Sequence, residues 1–129
     1  MVPITALYAG LLTLIAIVLA GLVGAGRGRT GISILHGEDM DLATRIRRHA
    51  NFTEAVPLAL ILLAALELNG AGPGFLHGLG IALVVARIAH PIGLHHDNMR
   101  NPLRVIGAGV TVVVTLVAAV ALIWGYISR

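Results

Sequence analysis

The sequence predicts an all-α membrane protein whose four transmembrane helices form a single bundle. Of its 129 residues, 57% are hydrophobic and only 12% are charged, whereas a soluble domain carries about 25% charged residues. Residues 2–26 and 105–128 contain no charged side chain, and each stretch exceeds the roughly 20 apolar residues that a transmembrane helix needs. Because a fold in water would leave much of this apolar surface exposed, we expect lipid to be the solvent.

The chain is short enough to be one domain, residues 1–129, and we expect it to contain four spans. Their predicted limits are about 3–25, 42–68, 75–95 and 103–127. A cleaved signal peptide is the alternative for the first span, but the basic segment that should precede it is missing and its apolar run is too long. The chain has no cysteine, which excludes disulfides and a cysteine nucleophile.

The second span combines a short apolar stretch, residues 55–66, with an arginine-rich stretch, residues 44–48. Read as one helix, the two are long enough to cross the bilayer. Asp41 stands where an N-cap or a first-turn carboxylate is favourable. The glycines and proline of residues 69–74 predict a turn into the third helix, and Pro102 marks the connection to the fourth.

The arginines orient the helices in the membrane. Arg27 and Arg29 lie in the first connection and Arg100 and Arg104 in the third, whereas the second connection has no basic residue. By the positive-inside rule, the first and third connections are cytoplasmic and both termini lie outside, as expected of a bacterial inner-membrane protein. The net charge of +3 does not indicate nucleic-acid binding, because the arginines lie beside apolar spans rather than on a soluble basic face.

Polar side chains are concentrated in the second and third spans. Arg47, Asn51 and Glu54 recur at i, i+4 and i+7, which places them on one face of a helix. With a rise of about 1.5 Å per residue, Glu54 and Arg87 lie at similar depths on neighbouring antiparallel helices, and His90 is close to Arg87. A charged residue at a helix centre costs on the order of 2.5–3.5 kcal/mol in lipid, so these side chains should share a polar recess. We expect Glu54 to pair with Arg87 or with the amino group of a bound ligand.

Most of these residues also have a purely structural explanation. Arg45 and Arg48 are equally well explained as topology anchors that reach lipid headgroups. Asn51 and Glu54 would then form a structural polar network, and His90 would be an ordinary core histidine. Four other histidines are predicted to be solvated: His36, His77, His95 and His96. A metal site formed by His95, His96 and Asp97 is disfavoured, because adjacent histidines diverge on a helix and no second ligand pair is spaced to meet them.

The stretch RIRRHANFTEAVP, residues 45–57, resembles the signature of the MAPEG family, the membrane-associated proteins of eicosanoid and glutathione metabolism. The second helix of that family carries an R-A-H-x-N-x-x-E pattern, which residues 47–54 follow except that Arg48 replaces the alanine. Residues 87–90 resemble the family's third helix, and residues 101–104 resemble the start of its fourth. The number of spans and their orientation agree as well, so the resemblance covers essentially the whole chain.

The resemblance implies a homotrimer that binds glutathione between subunits, near the cytoplasmic side. It implies glutathione-binding roles for five residues: Arg47, Asn51, Glu54, Arg87 and His90. It also implies that Arg104 stabilises the glutathione thiolate and that Arg27 or Arg29 reaches the site of a neighbouring subunit. Ala55 and Leu94 stand where tyrosines are common in the family, so two hydroxyl groups that could orient the ligand are missing.

The implied ligand suits an arginine-rich pocket. Glutathione carries two carboxylates and one ammonium group, which call for several arginines and at least one carboxylate. The pKa of a free thiol is about 8.5, and adjacent cations lower it, while arginine itself keeps its charge. The resemblance therefore implies a glutathione-dependent transferase or peroxidase that acts on lipophilic electrophiles entering from the bilayer.

Two other classes of function are open to such a chain. One is a membrane protein without catalytic activity that binds a thiol or a lipid in the same pocket, since a shared fold does not establish a shared activity. The other is a small four-helix exporter. Such a carrier is expected to hold an acidic residue within its first helix, and residues 2–26 contain none, so the exporter is disfavoured.

Overall fold

A computed structural model describes residues 1–128, and within them the chain forms four α-helices. The helices are α1 (Pro3–Thr30), α2 (Met40–Leu68), α3 (Pro73–Gly93) and α4 (Pro102–Ile127). All four are long and apolar enough to cross a membrane. The predicted all-α architecture with four transmembrane helices is therefore confirmed.

The helix ends differ from the predicted limits by two residues or more in α1, α2 and α3, and α2 begins at Met40 instead of residue 42. Helix α1 continues through its two arginines to Thr30 instead of ending near residue 25, because Gly31 adopts a left-handed conformation (φ 72°) and terminates the helix there. Helix α3 starts earlier than expected, at Pro73, since proline is well suited to a first helical turn. It also ends earlier, at Gly93.

The first connection is held by charged side chains at the start of α2. The N-cap is Asp39, whose carboxylate accepts a hydrogen bond from the Leu42 N–H at 2.7 Å, and Asp41 lies in the first turn as expected. The guanidinium of Arg29 bridges both carboxylates, at 3.0 and 3.1 Å. The hydrogen bond from Leu42, together with the Arg29 charge, lowers the pKa of Asp39, so this cap weakens only when the pH falls through that lowered pKa.

Helices α2 and α3 form the centre of the bundle. Each of them contacts every other helix, whereas α1 and α4 do not contact one another within residues 1–128. Leucines such as Leu12 of α1 and Leu83 of α3 fill the space between the helices. The outer faces carry exposed apolar side chains, for example Leu14 and Leu116. Such a surface fits a bilayer environment.

Helix α1 approaches α3 most closely where Tyr8 packs against Gly80. A Cβ atom at Gly80 would overlap the Tyr8 ring, so only glycine fits there. The Tyr8 hydroxyl also makes a 2.8 Å hydrogen bond with Nδ1 of His77. The prediction that His77 is solvated was therefore wrong, because this histidine is partly buried beside an aromatic partner.

At the opposite end from Arg27, the carboxylate of Glu67 caps the first turn of α1. Its two oxygens accept hydrogen bonds from the N–H groups of Ile4 (2.9 Å) and Thr5 (2.7 Å), and α1 has no side-chain cap of its own. We expect Glu67→Ala to lower the midpoint of thermal unfolding by about 3 °C, because two N–H groups lose their acceptors. Glu38→Ala removes an exposed carboxylate of the first connection and is the matched control. Equal midpoints for the two variants would contradict the capping role.

Candidate functional site

The depth of the polar side chains follows from the length of α3. Its 21 residues span about 31 Å, close to the roughly 30 Å thickness of the hydrocarbon core. The end of α3 at Leu94 therefore lies near one edge of that core, on the side predicted to be cytoplasmic. The guanidinium of Arg48 binds the carbonyl oxygen of Leu94 and marks the same level on α2. Measured along the helices from these points, Glu54 and Arg87 lie about 9 and 10 Å deeper.

The Glu54 carboxylate forms a two-pronged ion pair with Arg47, whose backbone lies near the level of Arg48. Nη1 and Nη2 of Arg47 donate to the two carboxylate oxygens of Glu54, both at 3.1 Å. More than half of each side chain is exposed on the surface of the single chain, 57% for Arg47 and 56% for Glu54. The expected pairing of Glu54 with Arg87 was wrong. Seven residues apart, Arg47 and Glu54 share one helix face, and that face points out of the bundle.

Arg87 lies inside the bundle instead, where only 2% of it is exposed. Its Nη1 donates to Oδ1 of Asn51 at 3.1 Å and its Nη2 to the carbonyl oxygen of Gly107 at 3.0 Å, so one side chain of α3 joins α2 and α4. Within residues 1–128 no carboxylate lies within 4 Å of it, and its Nε has no hydrogen-bond partner. The buried cation therefore orients the Asn51 amide.

His90 is buried beside Arg87, with 4% exposure. Helix α4 passes so close that a Cβ atom on Gly107 would lie 2.8 Å from the backbone nitrogen of His90 and from the carbonyl oxygen of Ala86. The glycine thus allows α3 and α4 to touch backbone to backbone under the polar cluster. In this arrangement Arg87 and His90 support the site from within the bundle.

A cavity of about 340 Å³ opens next to the exposed ion pair, at the end of α3. It is lined by Ala43, Thr44, Arg47, Leu94, His95, His96, Met99 and Arg104. Nη1 of Arg104 donates to the carbonyl oxygen of Met99 at 3.1 Å, which fixes the guanidinium at the cavity wall. Two arginines, Arg47 and Arg104, therefore line one cavity. Such a pair suits an anionic ligand with carboxylate groups.

The cavity includes residues that sequence reasoning did not connect with the site. Thr44 precedes Arg47 by three residues, so helical periodicity alone places both on one face. His95 and His96 are exposed, as expected of solvated histidines. They also line the cavity, which was not expected. The position of Met99 had no sequence signal, because it depends on how the third connection folds back.

Arg27 lies apart from this cavity. Its Nη1 donates to the carbonyl oxygens of Ile32 (3.0 Å) and Leu35 (3.1 Å), so within one chain it shapes the first connection. Leu35 is the one non-glycine residue with positive φ in the described part of the chain, and the Arg27 hydrogen bond stabilises that turn. Of the residues predicted for the site, Arg47 and Arg104 line the cavity, Asn51 and Glu54 extend the polar face, and Arg87 and His90 lie behind it.

A bundle of four membrane helices with a cationic cavity at the bilayer edge defines an integral membrane protein that can hold an anionic ligand. Residues 5–124 match the model of the MAPEG family, and the chain belongs to that family. The resemblance seen in the motifs of α2 and α3 is therefore confirmed.

Two known proteins are similar in sequence to this chain. The chain is 33% identical over 97 residues to the inner membrane protein YecN of Escherichia coli K12, a match that covers 75% of this chain and 74% of the relative. The same figures hold for YecN of Escherichia coli O6:H1, strain CFT073. No solved structure matches the chain.

Proposed function

We propose that this protein is a glutathione-dependent transferase or peroxidase of a bacterial inner membrane, acting on lipophilic electrophiles. The observation that carries the proposal is the pair of guanidinium groups, Arg47 and Arg104, in one cavity at the bilayer edge. A ligand with two carboxylates and a thiol fits this charge pattern. Membership of a family that includes glutathione transferases supports the same reading.

The proposed roles follow from the charges of the ligand. Arg47 binds a glutathione carboxylate, and the Glu54 carboxylate exchanges its pairing with Arg47 for the ligand's ammonium group. Asn51, oriented by Arg87, adds a hydrogen bond from its amide. Arg87 acts on the ligand through Asn51, and His90 acts through its packing against Gly107. Both residues do so from inside the bundle.

Arg104 supplies the catalytic charge in this proposal. A cation beside the thiol lowers the thiol pKa and raises the thiolate fraction at neutral pH, and arginine does so without losing its own proton. The thiolate then forms a carbon–sulfur bond with the electrophile, whose leaving group departs with the electron pair of the bond that breaks. The electrophile reaches the thiolate from the hydrocarbon side of the cavity.

We further propose that the functional unit is a homotrimer with glutathione bound between subunits. The exposed ion pair of Arg47 and Glu54 supports this, because the backbone of Glu54 lies about 9 Å below the level of Arg48 and lipid is a costly neighbour for charged groups. A second copy of the chain would cover the pair and enclose the ligand. Arg27 of that copy is then a candidate to reach the shared site.

The second candidate function is a membrane protein that binds a thiol or a lipid in this pocket without catalysis. It is favoured by the cavity wall at Leu94, which is apolar and 8% exposed and offers no hydroxyl to orient a ligand. Ala55 likewise provides no hydrogen bond from its side chain.

Purified protein in detergent separates the two functions. We expect it to bind glutathione and to conjugate it to an aryl halide such as a chlorodinitrobenzene, with a rate that saturates in glutathione. Binding of glutathione without conjugation or peroxide reduction would favour the non-catalytic function. If glutathione neither binds nor reacts, the enzyme proposal is wrong.

A further inference from the structure

A second recess lies between α1 and α3. It is a groove of about 240 Å³ whose walls are apolar except for one arginine. The groove is formed chiefly by Ile15, Val18 and Leu22 of α1 and by Ile88 and Ile92 of α3, with Arg48 of α2 at its end. Several of these side chains are largely exposed on the chain surface, Val18 at 61% and Ile92 at 58%. An acyl chain is the natural occupant of such a groove in a bilayer.

The charge of Arg48 is not neutralised by any acidic side chain within 4 Å in residues 1–128. Its Nε and Nη2 donate to the carbonyl oxygen of Leu94, at 3.0 and 2.8 Å. This double hydrogen bond caps the end of α3 and fixes the plane of the guanidinium. Its Nη1 makes no hydrogen bond in the described part of the chain, so two N–H donors remain available to an anion.

The length of α3 indicates the height of Arg48 in the membrane. Because α3 spans about the thickness of the hydrocarbon core, its end at Leu94 lies at the boundary with the headgroups. Arg48 is hydrogen-bonded to that residue and is partly buried. A cation at this boundary attracts an anionic headgroup, while the groove that leads away from it is hydrophobic.

We propose that the α1–α3 groove is a binding site for an anionic phospholipid. The lipid phosphate accepts hydrogen bonds from Nη1 of Arg48, and one acyl chain lies along Val18 and Ile88. The site is separate from the cavity of Arg47 and Arg104, so a test of lipid binding does not depend on whether glutathione binds.

Native mass spectrometry with two lipids of identical acyl chains tests this site. In equimolar phosphatidylglycerol and phosphatidylcholine, we expect the wild-type protein to retain phosphatidylglycerol about fivefold more strongly, the contribution of one arginine near an anionic surface. We expect Arg48→Gln to reduce this preference to about one, since the neutral side chain attracts no phosphate. Arg100→Gln removes the same charge at an exposed position and should keep the wild-type ratio.

Ile88→Trp provides a second test that leaves Arg48 in place. The larger side chain fills the groove, so both lipids should be retained less, even if Arg48→Gln does not fold. The proposal is overturned if the wild-type protein shows no preference or if Arg48→Gln keeps it. It is equally overturned if Arg100→Gln loses the preference as fully as Arg48→Gln, or if lipid retention is unchanged in Ile88→Trp.

Discussion

Replacing Arg104 with alanine is expected to lower the turnover number for glutathione conjugation by about 100-fold, the usual effect of removing one group that stabilises a reacting anion. Arg104 lines the cavity and is proposed to stabilise the thiolate, which carries charge only after the thiol loses its proton. The thiol form binds without that interaction. We therefore expect the dissociation constant of glutathione to change by less than about threefold.

The pH dependence provides a second readout for the same variant. Without the adjacent cation the thiol pKa returns toward about 8.5, so the activity of Arg104→Ala should rise as the pH is raised through that range. Arg100→Ala is the control, because it removes a nearby arginine that precedes α4 and does not line the cavity. Equal losses of turnover and affinity in Arg104→Ala would contradict a role in stabilising the thiolate.

Substituting Gly107 with alanine is expected to destabilise the bundle by about 2 kcal/mol, within the range for overpacked interiors. The added Cβ would meet the carbonyl oxygen of Ala86 and the backbone nitrogen of His90, both at 2.8 Å, and backbone atoms cannot move aside without separating α3 from α4. The carbonyl oxygen of Gly107 also accepts the hydrogen bond from Arg87. The substitution should therefore weaken glutathione binding as well.

Gly109→Ala is the matched control for this prediction. It lies in the same helix, two residues further on, and a Cβ there meets nothing within 4 Å. Because alanine is a better helix former than glycine by about 1 kcal/mol, this variant should be neutral or slightly stabilised. Thermal unfolding in one detergent compares the two. Equal midpoints would show that α3 and α4 do not approach each other as closely as described.

The helices could be predicted because the bilayer requires a run of about 20 apolar residues. The residue at which α1 ends could not be predicted, because the arginines that follow its apolar run continue the helix until Gly31 terminates it. A change from apolar to charged residues marks the edge of the membrane, not the end of a helix. The cap on α1 was likewise not predictable from the sequence, because Glu67 reaches it from the far end of another helix.

The relative depth of the site residues along the helices could be predicted, but the direction in which each side chain points could not. Helical rise alone places Glu54 and Arg87 at nearly the same level. Which of them faces the bundle depends on how far each helix is rotated about its own axis, and that is set by close contacts such as Gly107 against His90. As a result Asn51, one turn from the expected partner, binds Arg87, and Glu54 points outward to Arg47.

Cysteine labelling at position 54 measures most directly whether the charged face of α2 borders a hydrophilic recess. The natural chain has no cysteine, so Glu54→Cys and Ile61→Cys each introduce a single thiol on the same face of α2, two turns apart. Ile61 is an apolar residue that is 65% exposed. In lipid nanodiscs a charged methanethiosulfonate reagent should modify Glu54→Cys at least about tenfold faster, because thiolates form and charged reagents enter only where water does. If Glu54→Cys reacts as slowly as Ile61→Cys, water does not reach position 54, and the hydrophilic recess proposed on this face of α2 is contradicted.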